Sequence, residues 1–280
     1  MTLAPTSHPS PKHPTWQKEL WQLMAYPLLL FFALPLLAIF FRLTPSALIA
    51  SLRSPQVLQA IRLSLLTSLI TVLVTLLFGT PVAYLLFHRR SRFYRLMDTL
   101  VDLPTILPPA VAGVALLMAF GRQGLLGSSL HLLGISIPFT TTAVVLAQTF
   151  IAAPLYIKTA SLGFGAVDCE LKKAAALDGA NRWQVFRYIM LPMSWMSILS
   201  GAVLTWARAM GEFGATIIFA GNFPGRTQTM PLAIYIGFEV DLNVALTLSA
   251  ILICFSLVVL AIVKGFLHNH LETSPETEPD

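Results

Sequence analysis

Residues 57–87 read VLQAIRLSLLTSLITVLVTLLFGTPVAYLLF, thirty-one positions with one charge, Arg62. About 20 apolar residues are enough for a helix to cross a hydrocarbon core. Backbone groups in lipid must be satisfied within their own segment, so such a run folds as a helix. This run is longer than a crossing requires, and its start, with Gln59 and Arg62, reads as an amphipathic lead-in at the outer surface. A β-barrel would alternate apolar and polar positions over segments of about ten residues. No such alternation is present.

The rest of the chain repeats the pattern. Apolar residues make up 56% of the 280 and charged residues 11%, against about 25% charged in a soluble domain. Toward the N-terminus a first span is predicted over Leu20–Phe41, in the 20–42 segment, with Pro27 and Pro35 inside it. Residues 1–19 are rich in proline, serine and histidine and read as a disordered leader. They do not read as a signal peptide, because the apolar run is too long and no small-residue cleavage site follows it. Toward the C-terminus further spans are expected over Leu100–Phe120, Phe139–Gly163, Met193–Ala220 and Val244–Leu267. Residues 268–280 read as a disordered acidic tail. The fold class is thus all-α integral membrane, with six spans, a main domain over 57–267 and a polar loop over 164–192. No internal repeat is visible.

The net charge of +5 sits between spans and does not form a nucleic-acid patch. Arg89, Arg90, Arg92, Arg95, Lys158, Lys172, Lys173, Arg182 and Arg187 fall on one side. Lys12, Lys18 and Lys264 near the termini join them, against Arg42, Arg53, Arg122 and Arg226 on the other side. The positive-inside rule puts both termini and the 164–192 loop in the cytoplasm. Cys169 and Cys254 have no metal-ligand spacing and no sign of pairing. His268 and His270 lie in the tail, and no metal site is expected. There is no Gly-x-x-x-x-Gly-Lys-Ser/Thr loop to cradle ATP phosphates. No nucleophile and base stand together, so no catalytic residue is proposed.

Four segments carry the remaining information. In Phe164–Met190, Asp168 is an N-cap for a helix over Cys169–Leu177. Leu171, Ala174 and Ala175 share one face, and Gly179 allows a left-handed C-terminal turn. Asn181 caps a second helix that Pro192 is expected to stop. Such an alanine-faced helix either meets another surface closely or lies on lipid headgroups. Second, Arg208 and Glu212 stand four apart on one expected helix face and can pair. A charge at mid-membrane costs roughly 2.5–3.5 kcal/mol, so the pair faces other helices or a pathway. It is either a structural pair or part of a gate. Third, Pro104, Pro108 and Pro109, followed by Gly113, should break the helix at membrane depth, as at a pathway or gate; the alternative is a kinked packing helix. Fourth, Gly221 to Leu232 is an outward loop. In it Asn222, Arg226, Thr227 and Thr229 are candidate contacts for a partner at the outer face, or simply parts of a Pro-Gly turn.

Lys173-Ala174-Ala175, then Gly179, then Leu191-Pro192 has the spacing of the EAA loop of ABC-importer permeases, and the segment resembles that loop. Lys173 stands where the family most often has glutamate. The run Arg208-Ala-Met-Gly-Glu-Phe-Gly-Ala-Thr216, the Asp102–Gly113 proline segment and the Gly221–Leu232 loop are similar to those of molybdate-transporter permeases. The resemblance covers Ile61 to Lys264. It implies a type I ABC-importer permease fold (MetI-like) in a bacterial cytoplasmic (inner) membrane. It also implies a homodimer whose 164–192 loops dock on separate ABC ATPase subunits. ATP–Mg would sit on those subunits, with no cofactor on this chain, and a periplasmic molybdate-binding protein would deliver molybdate or tungstate. A sulfate or thiosulfate permease is the alternative within the class, and an ion-coupled carrier or channel is the alternative outside it.

Overall fold

Apolar runs that satisfy their own backbone fold as helices. In the computed structural model the described residues, 15–88 and 91–271, hold helices and connecting turns and no strand. The chain divides into two units, Met1–Thr44 and Pro45–Asp280. The first contains α1, Thr15–Arg42, with Pro27 and Pro35 inside it. It begins five residues earlier than the expected span. The rest of the leader, residues 1–14, and the tail beyond 271 lie outside the described residues, as do Arg89 and Arg90.

In the second unit α2 (Pro45–Arg53) precedes α3 (Pro55–His88), which contains the whole 57–87 run. Gln59 and Arg62 lie in the first turns of this one helix. Next come α4 (Arg92–Ile106), α5 (Pro109–Phe120), α6 (Gly127–Leu132) and α7 (Thr141–Ala166). Helices α3 and α7 run parallel: Thr71 Oγ1 donates to Gln148 Oε1 (3.1 Å), Thr80 bonds Tyr156, and Phe87 lies beside Gly165. Two parallel crossings require the chain between them to return. The α4–α5 pair does so with a 119° bend.

After α7 the polar loop forms α8 (Cys169–Leu177) and α9 (Arg182–Val185), then a π-helical turn (Phe186–Met190) and α10 (Leu191–Met193). The chain turns by 69° at Ser194 into α11 (Trp195–Met210), which packs antiparallel on α7. Short α12 (Gly214–Phe219) and α13 (Met230–Val240) lead to α14 (Leu242–Leu271). With each bent pair counted as one span, the described residues offer six crossings.

Three expectations change. Pro104 lies buried inside α4 and does not break it; the helix closes normally, Leu107 N donating to Leu103 O (3.1 Å). The break falls at Leu107–Pro108, where both residues are extended (ψ 138° and 131°). Each precedes a proline, which disfavours its helical conformation. The expected Met193–Ala220 span is two helices separated at Gly211–Phe213. The second helix of the loop, Arg182–Met193, runs one residue past Pro192 and ends in the bend at Ser194.

Helices approach closely where side chains are absent. A Cβ on Gly163 of α7 would fall 2.3 Å from Ser197 Cβ of α11, whereas one on Gly165 would meet only Phe87, at 3.5 Å. Gly163→Val should therefore lower the thermal midpoint of the detergent-solubilised protein, through an overpacking cost of about 1–3 kcal/mol. Gly165→Ala should leave the midpoint nearly unchanged; equal midpoints for the two variants would contradict this packing.

Candidate functional site

The break expected at the prolines and the unexpected break at Gly211–Phe213 lie against each other. A Cβ on Gly214, at the start of α12, would sit 2.7 Å from Pro109 Cβ. A Cβ on Gly113 would sit 2.8 Å from Ile218 Cβ and 2.9 Å from the Ala215 carbonyl oxygen. Helices α5 and α12 therefore run side by side at backbone contact, which only glycine permits at these positions. Ala112, Leu116, Ala143, Val144, Ala147, Ala215 and Phe219 pack this junction onto α7.

Glu212 holds the second break. It lies outside the helix on which it was expected, in the gap between α11 and α12, and is 1% exposed. Its Oε1 accepts the Ala215 N–H (2.8 Å), one of the N–H groups freed where α12 begins. Its Oε2 accepts Nη1 of Arg208 (2.9 Å), as the four-residue spacing predicts. Arg208 is only partly covered, its side chain 37% exposed. The carboxylate is thus both a helix cap and the counter-ion of a cation that reaches the edge of the fold. Charge-assisted hydrogen bonds of this kind are about twice as strong as neutral ones. Next to them, the buried Thr216 hydroxyl finds no partner among the described residues.

The outward loop is more closed than expected. Gly221 and Gly225 take positive φ (72° and 73°). Thr227 Oγ1 accepts the Phe223 N–H (3.0 Å), and Thr141 donates its hydroxyl proton to the Arg226 carbonyl (2.9 Å). Met230 N donates to Ser64 Oγ (2.7 Å), drawing the end of the loop down between helices. Thr227 and Thr229 are consequently buried and offer no surface to a partner. Arg226 is exposed and Asn222 half-buried, so those two keep access to the outside.

At the opposite end α8 is largely uncovered and touches α3 through Lys172, whose Nζ lies 4.8 Å from the centroid of the Phe87 ring. Asp168 accepts the Glu170 N–H (2.8 Å) and caps it, as its position predicts. Gly179 has φ +87°, and Ala180 N returns to Ala175 O (3.0 Å). Asn181 and Gln184 form a reciprocal capping box at α9. No residue of α8 is buried; Lys173 and Ala174 are exposed, Ala175 half-buried, and the apolar Leu177 is 89% exposed. Leu191 and Pro192 belong elsewhere. They follow the π-helical turn, and Leu191 packs toward α3.

One constellation was not anticipated. Lys158 of α7 bridges Asp98 and, at 2.8 Å, Asp102 of α4, tying the arm that carries the first break to the central span. The sequence held a signal: a lone lysine in an uncharged run, and two aspartates four apart on one helix face. Among the described residues no group of acidic, histidine or cysteine side chains can hold a metal ion.

Residues 75–273 match the family model described as binding-protein-dependent transport system inner membrane component. The chain belongs to that family. The permease is 39% identical over 256 residues to the molybdenum transport system permease protein ModB of Mycobacterium tuberculosis, covering 91% of this chain and 96% of that one. It is 35% identical over 239 residues to the molybdate/tungstate transport system permease protein WtpB of Thermococcus kodakarensis, covering 85% and 90%. Among solved structures, a chain of the bacterial alginate ABC transporter in complex with an alginate-bound periplasmic protein superposes with TM-score 0.70. It is 17% identical and covers 94% of the permease and 97% of that chain. The MetNI methionine ABC transporter in an inward-facing form gives TM-score 0.59 at 17% identity, covering 76% and 95%. The fold is that of the type I ABC-importer permeases.

A double-mutant cycle tests the Glu212 assignment. Arg208→Met should destabilise the permease more than the Arg208→Met/Glu212→Gln double variant does, because the double leaves no unpaired carboxylate. A coupling energy of about 1–3 kcal/mol is expected, read from thermal unfolding of the four proteins. Additive effects would mean that the two side chains do not act as a pair.

Proposed function

We propose that this permease forms the membrane pathway of an ATP-driven importer for molybdate, and for tungstate as a second substrate. The observation that carries the reading is the Arg208–Thr216 run folded as a break against Pro108–Pro109. It is supported by the substrate named for relatives that match over 91% and 85% of the chain. In this reading the pathway runs along the interface of two copies, and a periplasmic binding protein delivers the oxyanion at the Arg226 face. ATP–Mg is held by a separate ATPase subunit, and this chain binds no cofactor and hydrolyses nothing itself. Both termini and α8 lie in the cytoplasm, following the distribution of lysine and arginine.

The mechanism follows from what each part is free to do. Helix α8 has an uncovered small-residue face and connects through α9 and the π-helical turn to α11. Closure of the ATPase dimer displaces α8, and α11 carries that displacement to the break at Glu212. Because α12 packs on α5, both breaks respond together and the spans rock between two states biased by nucleotide. Arg208 supplies a cation whose charge is offset by Glu212, so a dianion is attracted without being trapped.

In proteoliposomes holding the full complex, labelled molybdate should accumulate only with ATP and binding protein, and tungstate should compete better than sulfate. Uptake without ATP, or equal competition by sulfate, would contradict the proposal. Ala175→Trp and Gly179→Val should reach the membrane normally yet lower uptake at least about tenfold, the effect of ~1.4 kcal/mol at a contact. Normal uptake in both variants would remove α8 from the coupling path.

A further inference from the structure

A cavity of about 690 Å³ opens between the inner half of α3 and the re-entering segment after α9. Its wall is apolar, formed chiefly by Leu77, Tyr84 and Phe186, the last two in edge-to-face contact with ring centroids 4.9 Å apart. The Thr80 hydroxyl on that wall is already bonded to the Leu76 carbonyl and to Tyr156, so it asks nothing of an occupant. At the mouth nearest α8 stand Arg182, exposed, and Trp183, 64% exposed and stacked toward Phe186 at 5.7 Å. The opposite rim runs from Leu76 to Leu85, a rise along the helix of about 13 Å. That is close to the depth of one leaflet, half of a core of roughly 30 Å.

The groove is therefore apolar for one leaflet's depth and carries one guanidinium and one indole at its polar end. Aromatic and basic side chains take those positions at a membrane interface. Lys172 is not part of the lining; its Nζ lies 4.8 Å from the centroid of the Phe87 ring, so Arg182 is the cation at the groove. The π-helical turn Phe186–Met190 holds the shape open, because its wider winding turns Phe186 toward α3 while Leu191 closes the far wall. Such turns recur at functional sites.

We propose that this groove is a binding site for an anionic phospholipid of the leaflet adjoining α8. One acyl chain lies along Leu77 and Tyr84, and the headgroup phosphate is held by Arg182. Charge complementarity selects this occupant over a zwitterionic lipid, because a juxtamembrane cation favours an anionic headgroup. The site does not depend on which oxyanion is transported. Since the segment joins α8 to α11, a lipid seated here props the path between them.

The test is photolabelling of the full-length permease in mixed micelles, with diazirine-bearing phosphatidylglycerol or phosphatidylcholine. Phosphatidylglycerol should label the peptide containing Leu76–Leu85 about fivefold more than phosphatidylcholine, the contribution of one juxtamembrane cation. Arg182→Gln should reduce that preference to near unity, and Arg182→Lys should keep it. Equal labelling by the two lipids in the wild type would overturn the proposal, as would a preference unchanged in Arg182→Gln. A cysteine at Leu77, with Cys169 and Cys254 replaced by serine, that cross-links to a second chain and shields the peptide from both lipids would show a subunit interface instead. Thermal midpoints of the two Arg182 variants within a few degrees of wild type confirm that the labelling reports binding and not folding.

Discussion

Backbone groups released at membrane depth need partners, and this fold releases them twice at one place. The extended pair Leu107–Pro108 ends α4, and the Gly211–Phe213 gap ends α11. Pro108 and Pro109 have no N–H to give the last carbonyls of α4, so the first break leaves acceptors and few donors. The second break keeps its donors, and Glu212 takes one of them at Ala215 while compensating Arg208. A carboxylate in that position answers the backbone and the side chain at once. The glycines at 113 and 214 then let the two interrupted spans share a surface.

The remainder of the molecule can be understood as a frame around that junction. Helices α3, α7 and α11 form a packed group joined by small residues and by buried hydroxyls such as those of Thr71 and Thr205. The α4 arm is pinned to this group by the Lys158 bridges, so the first break begins from a fixed base. Helix α8 is the opposite case: both of its ends are capped locally, yet none of its residues is buried. A rigid, uncovered element connected by one continuous chain segment to a two-fold break suits transmission of a displacement. The exposed apolar Leu177 gives a partner surface something to bury.

Spans were readable from length and composition because lipid imposes one solution on a long apolar run. The caps at Asp168, Gly179 and Asn181 were readable for a similar reason, since each depends on residues within four positions. The pairing of Arg208 with Glu212 was also local, although its setting in a gap was not. What the sequence did not disclose depends on contacts between distant segments. Burial of Thr227 and Thr229 follows from Ser64, more than 160 residues away, accepting the Met230 N–H. The Lys158 bridges join positions 60 residues apart. Pro104 misled because a proline late in a helix of 15 residues is absorbed, whereas two consecutive prolines constrain both residues before them. The helix Met230–Val240 was missed because eleven residues fall short of a span.

In the proposed mechanism the paired breaks move with nucleotide. Val114 lies on the exposed side of α5, one residue beyond the Gly113 contact. In the complex reconstituted with the ATPase subunit, a cysteine at Val114, with Cys169 and Cys254 changed to serine, can be probed with membrane-impermeant thiol reagents. The account predicts labelling from the α8 side without nucleotide, and loss of that labelling, with access from the opposite side, when ATP and vanadate trap the closed ATPase dimer. Identical labelling in the two states would contradict it.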